Sequence, residues 1–225
     1  MLYKYIVLIF MLSIPAMSDI KPFKAEFLFK GPVLTLNTVR ELTIKDGVGT
    51  FNFSGKNTLG NLRISSVFEI DENIVTSLSY EFKARAALVI NRKQSLIFKD
   101  VISSKGDHEW QIDLVEVPEK VLDPLTAQIA LSEAISQGNQ EAVLFLPNLK
   151  NGEIEENKFI LLEEETLVID GVKYECAVAK RVRENENRVT KYWFAKSLDF
   201  LLIKTKDEDD NGTVELSMTK ILSFG

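Results

Sequence analysis

Alternation with a period of two is the feature of this chain that most restricts its fold. In "FKAEFLF", Phe23, Ala25, Phe27 and Phe29 fall on one side and Lys24 and Glu26 on the other. "NLRISSVFEI" sets Leu62, Ile64, Phe68 and Ile70 on one face, and "NIVTSLSYEFKA" does the same with Ile74, Leu78, Tyr80, Phe82 and Ala84. The pattern returns in "HEWQIDLVE" (Trp110, Ile112, Leu114), "KYECAVAKRV" (Tyr174, Cys176, Val178) and "TVELSMTKIL" (Val214, Leu216, Met218). Successive side chains of a strand point to opposite faces, so these segments predict strands with one face buried and one wet. The separators are "KDGVG" (45–49), "SSKGDH" (103–108), "LKNGE" (149–153), "IDGVK" (169–173) and "DDNGT" (209–213). Each carries Asp-Gly, Asn-Gly or a lone Gly, residues that accept the positive φ of tight hairpins. The prediction is a mainly β fold, an antiparallel meander of about a dozen strands curling into an open or closed β-barrel-like sheet.

One stretch breaks the pattern. "VLDPLTAQIALSEAISQG" (121–138) has Asp123 as an N-cap, Pro124 at the first helical position and Gly138 as a left-handed stop. The spacing predicts a helix over 124–137 with Ala127, Ala130, Leu131, Ala134 and Ile135 turned inward. Leu125 and Ile129 widen the apolar stripe toward a second flank. The helix divides strands at 23–117 from strands at 143–222 within one domain spanning 19–225. A helix in this setting plugs an end or covers an edge of the sheet, or serves as a lid over a cavity.

The opening "MLYKYIVLIFMLSIPAMS" has Lys4, an apolar run from Tyr5 to Met17, and small residues before Asp19. That is the layout of a secretory signal peptide over 1–18, cleaved after Ser18. The run is shorter than the roughly 20 residues that span a bilayer, so a periplasmic protein without a stable membrane anchor is expected. Loss of Lys4 takes the net charge from −6 to −7. An acidic chain is a poor partner for nucleic acid phosphates and for anionic lipid surfaces. Cys176 is the one cysteine, which excludes an internal disulfide and a multi-cysteine zinc site.

No motif spells out a reaction. His108 is the single histidine, so neither H-E-x-x-H nor a three-histidine metal site can be assembled, and G-x-S-x-G, Walker and G-x-G-x-x-G loops are missing. Cys176 alternates with apolar neighbours and reads as a buried small hydrophobe. "DEDDNGT" resembles the start of a calcium loop at Asp207, Asp209, Asn211 and Gly212, but Met218 occupies the place of its bidentate acid. An acidic Asn-Gly hairpin tip explains it. Arg181, Arg183 and Arg188, with Glu184 and Glu186 interleaved, read as a cross-strand charge ladder. No residue is therefore assigned to catalysis, to a cofactor or to a metal. Eight of the phenylalanines after Ser18 precede residue 100. Phe27, Phe29, Phe51, Phe53 and Phe82 on inward positions, with Leu131 of the helix, are the candidates to line an apolar cavity, or simply to fill the core.

The helix and the segments C-terminal to it resemble the family called domain of unknown function 3108, exported bacterial proteins. The likeness rests on a D-x-L-S-type helix, an "R"-ended strand, a "W-f-A…D…l" hairpin and a final acidic turn. Here these are Asp123, Leu125, Gly171, Arg181, Trp193, Ala195, Asp199 and Leu201. "KPFKAEFLF" is similar to the family's opening strand. Leu202 stands where the family commonly has Pro, and "IFKD" (97–100) replaces an aromatic element. The resemblance implies a bent β-barrel-like fold outside the cytoplasm and transfers no catalytic residue. The expected function is a non-enzymatic carrier or binding module for an apolar ligand or protein segment. The alternative is an envelope assembly factor acting through protein contacts. A hollow interior favours the carrier, a packed one the assembly factor.

Overall fold

In the computed structural model, residues 20–32, 34–71, 74–86, 90–117, 120–183 and 187–225 are described; the segment expected to be a signal peptide (1–18), Glu184 and Glu186 lie outside them. The first half forms β1 (Phe23–Lys30), β2 (Thr35–Lys45), β3 (Val48–Lys56), β4 (Gly60–Asp71), β5 (Ile74–Ala86), β6 (Ile90–Phe98), β7 (Val101–Gly106) and β8 (Trp110–Asp113). After α1 (Thr126–Ser136) come β9 (Glu141–Pro147), β10 (Ile154–Leu161), β11 (Glu165–Ile169), β12 (Val172–Arg181), β13 (Val189–Ala195), β14 (Leu201–Asp209) and β15 (Gly212–Phe224). All pair antiparallel in one sheet, ordered β8-β7-β6-β5-β4-β3-β2-β1-β15-β14-β13-β12-β10-β9, with β11 alongside β12. Thus β1 joins β15 in mid-sheet, from Phe23 opposite Phe224 to Lys30 opposite Glu215.

The turns follow the predicted chemistry. Asp46 and Gly47 both take positive φ (51° and 76°), as do Asp170 and Gly171 (51° and 77°), the pair a type I′ hairpin requires. The acidic "DEDDNGT" segment is the β14–β15 hairpin, closed by Asp209 opposite Gly212.

The sheet is not closed. β8 and β9 form its two ends, and they meet through side chains and one loop. Trp110 Nε1 donates to the Leu149 carbonyl (3.3 Å), and a Cβ on Gly152 would fall 2.8 Å from the Trp110 ring. The edge of β9 is covered by residues 121–122, which bridge Phe145.

One expected strand face is corrected. Ile74 points outward (59 % exposed), while Val75 and Ser77 are buried. A bulge shifts the β4–β5 register between Val67 and Phe68, so residues before Leu78 change faces. Val214 is likewise exposed, whereas Leu216 and Met218 are buried as expected.

The helix starts at Thr126, because Pro124 and Leu125 form the turn that leads into it. Asp123 still caps it: Oδ1 accepts from the Leu125 and Thr126 amides (2.9 and 3.1 Å). At the other end Gly138 (φ 84°) donates to the Ile135 carbonyl and Asn139 to Ala134, a Schellman stop. Ala127, Leu131 and Ile135 are buried as predicted, while Ala130 and Ala134 are half-buried. Leu125 and Ile129 turn toward the main core, and Leu131 and Ile135 toward a second cluster. That cluster lies on the other face of β12–β14, where Ala177, Ala179, Phe194 and Leu202 meet Phe159. The helix is therefore wedged between two apolar layers.

Candidate functional site

The interior has three levels along the strands. At one end sits α1, tied down through Asp123, whose Oδ2 accepts from the hydroxyls of Ser66 (2.8 Å), Ser77 (2.7 Å) and Thr126 (2.5 Å). Asp123 is fully buried (0 % exposed). Ser77 Oγ in turn accepts from the Asp123 amide (2.8 Å), so β4, β5 and the helix start share one polar knot.

The middle level holds Arg40 of β2. It projects into the interior (1 % exposed) between the rings of Phe27 and Phe51, at 5.2 and 4.8 Å from their centroids. Its Nη2 donates to Gln128 Oε1 of the helix (2.6 Å), and Nη1 lies 3.4 Å from the Leu202 carbonyl. Burial lowers its pKa to about 9, which leaves the guanidinium charged at neutral pH. The ring faces supply part of the field that water would otherwise provide. This level is filled.

At the far end the interior opens. A cavity of about 470 Å³ is walled by Phe29, Leu34, Phe53, Leu62, Ile64, Phe82 and Ala84, with Asn61, Arg85 and Arg92 where strands end or begin. Cross-strand register explains the wall: Phe53 faces Ile64 and Ile64 faces Phe82, while Leu62 faces Ala84. Gly31 lets the β1–β2 turn pass close to the Phe29 ring, within 3.3 Å of where its Cβ would be.

Of the six candidate lining residues, Phe29, Phe53 and Phe82 line this cavity. Phe27 and Phe51 flank Arg40 one level deeper, and Leu131 (2 % exposed) belongs to the outer cluster. Leu62, Ile64 and Ala84 were on the correct strand faces without being candidates, and their pairing with Phe53 and Phe82 is what makes them walls. Arg40 escaped notice because it occupies one row with Leu36, Thr38, Leu42 and Ile44, where a lone charge gives no sign that it is enclosed.

The other singled-out residues have structural surroundings. The His108 carbonyl accepts from Gln94 and Ser104 in the turn before β8. Of the expected charge ladder, Glu184 and Glu186 lie outside the described residues; among those described, Arg188 chelates Asp207 of β14 (Nη2 to Oδ2, 2.5 Å), and Arg181 lies 3.7 Å from Glu155. Burial pushes the Cys176 thiol up to about 11. Iodoacetamide at pH 7.5 should therefore leave the native protein unmodified and label it stoichiometrically once unfolded. Rapid labelling of the folded protein, read by intact mass, would show an accessible thiol instead.

Among solved structures the chain is similar to the crystal structure of a β-barrel-like protein of domain of unknown function DUF1849 from Brucella abortus. The superposition has a TM-score of 0.60 at 10% sequence identity and covers 92% of this chain and 100% of that one. The fold is β-barrel-like. No family model matches the chain, and no curated protein matches its sequence. The residues that suggested domain of unknown function 3108 hold this β-barrel-like frame together. Asp123 knots the helix, Gly171 turns a hairpin and Asp199 (φ 44°) pairs with Lys21 at 2.5 Å. Trp193, buried, donates to Glu165 (2.9 Å). None of these lines the cavity.

Proposed function

We propose that this protein is an exported, non-enzymatic binding module that carries an apolar ligand in its open end. The observation that carries the reading is the cavity of about 470 Å³ with aromatic and aliphatic walls. It lies within the roughly 300–1,000 Å³ usual for small-molecule sites. The interior is filled at the helix and at Arg40 but hollow beyond Phe53, which favours a carrier over a factor that needs surface contacts alone. A periplasmic address and kinship with domain of unknown function 3108 belong to the same proposal. They are supported by the leader-like first 18 residues and by the motif residues between Asp123 and Leu201.

Uptake of the neutral probe N-phenyl-1-naphthylamine tests the cavity. The wild type should bind it saturably. Ala84→Trp places an indole in the open space and should weaken uptake about tenfold or more while the melting temperature changes by only a few degrees. A wild type without saturable uptake, or an Ala84→Trp variant with unchanged uptake, would refute the carrier.

A further inference from the structure

The walls of the cavity are sorted by chemistry. The aromatic and aliphatic residues form its depth, whereas its charged lining residues, Arg85 and Arg92, stand at the end of β5 and the start of β6. No acid lines it among the described residues, in a chain with 33 Asp and Glu against 27 Lys and Arg. Arg92 is the better placed of the two. It lies opposite Ala84 and shares the inward face with it, above the buried Gln94, whereas Arg85 alternates to the other face of its strand. Arg92 Nε donates to Asp107 Oδ2 (2.8 Å), and that oxygen also accepts from the Lys93 amide (3.0 Å). The guanidinium is thus oriented through one edge, and its two terminal nitrogens have no hydrogen-bond partner among the described residues. That pair of donors matches the geometry of an anionic oxygen pair.

Resting on the carrier reading, we infer that the ligand is a single-chain anionic amphiphile, held tail-inward along Phe29, Phe53 and Phe82 with its carboxylate at Arg92. The reverse orientation is disfavoured, because an anion at the depth of the cavity would lose its water among carbon walls. A cationic amphiphile would meet Arg92 and Arg85 with its own charge.

Displacement of N-phenyl-1-naphthylamine by dodecanoate, dodecanol and dodecyltrimethylammonium tests this at equal chain length, below their aggregation concentrations. Dodecanoate should displace the dye at about three- to tenfold lower concentration than dodecanol, with the ammonium weakest. Arg92→Gln should abolish the preference for the anion, so that dodecanoate and dodecanol displace the dye at equal concentrations. Asp107→Asn removes the competing acid and should sharpen the preference, a gain that a misfolded variant cannot imitate. Added salt should weaken dodecanoate selectively. Equal displacement by all three headgroups, or a preference that survives Arg92→Gln and is unmoved by Asp107→Asn, would overturn the anionic ligand while the apolar cavity stands. Failure of the wild type to take up the dye at all would overturn the cavity and this inference together.

Discussion

Replacing Asp123 with alanine is expected to cost about 3–5 kcal/mol, the sum of a lost helix cap and buried hydroxyls left without an acceptor. Its two oxygens take five hydrogen bonds, two from backbone amides of the helix start and three from Ser66, Ser77 and Thr126. The site is fully buried, and of the hydroxyl donors left behind only the Ser66–Thr126 pair retains an acceptor, one for the other at 2.9 Å, so the remaining orphaned groups carry a desolvation cost. Asp123→Asn retains one capping oxygen, and the hydroxyls can rotate to accept from its amide, so it should cost clearly less. Urea denaturation of both variants measures the difference. An Asp123→Ala protein within about 1 kcal/mol of wild type would show that the knot is not a principal tie of the helix.

Leu131→Ala should cost about 2–5 kcal/mol, as truncation of an enclosed leucine does. The side chain is buried against the cluster that contains Phe159, Phe194 and Leu202, where rigid rings and strand backbones leave little room to collapse into the gap. Gln137→Ala, at the exposed C-cap, should stay within about 0.5 kcal/mol. A helix acting as a mobile lid would give the opposite pattern, with Leu131→Ala nearly as stable as wild type but altered in dye uptake. The cavity lies at the other end of the interior from the helix, so Leu131→Ala should leave dye affinity unchanged once the fraction folded is accounted for.

The strand faces and hairpins were legible because one wet and one dry face write a period-two pattern directly into the sequence. The pattern failed where geometry added something local or something distant. A bulge beside Val67 inverted the expected face of Ile74 and Val75, and a bulge leaves no compositional mark when Ser and Thr surround it. The second apolar layer did leave a mark: "CAVA", "WFA" and "LLI" are continuous apolar runs, the sign of strands covered on both faces. On that reading, Ala177, Phe194 and Leu202 would have pointed to the outer cluster and moved Leu131 there with them. The cavity was half legible. Whether an inward ring fills the interior or borders a void depends on the distance to the opposite wall, which no local pattern encodes. Phe29, Phe53 and Phe82 border the void and Phe27 and Phe51 do not, because Arg40 fills the space between the latter pair.

The seam between β1 and β15 has a consequence for how the molecule is made. Most ladders in the sheet join neighbours in sequence and can zip from local turns. The seam joins residues from opposite ends, as in Phe27 opposite Met218, and such contacts form slowly because a very long loop must be closed first. Until the final strand arrives, β1 and β14 each present a long row of unsatisfied amides and carbonyls to any other chain nearby. A single step, the docking of Gly212–Phe224, removes both rows at once. Completion of the sheet and protection from self-association are one event, and it waits on β15, which follows every strand it completes in chain order.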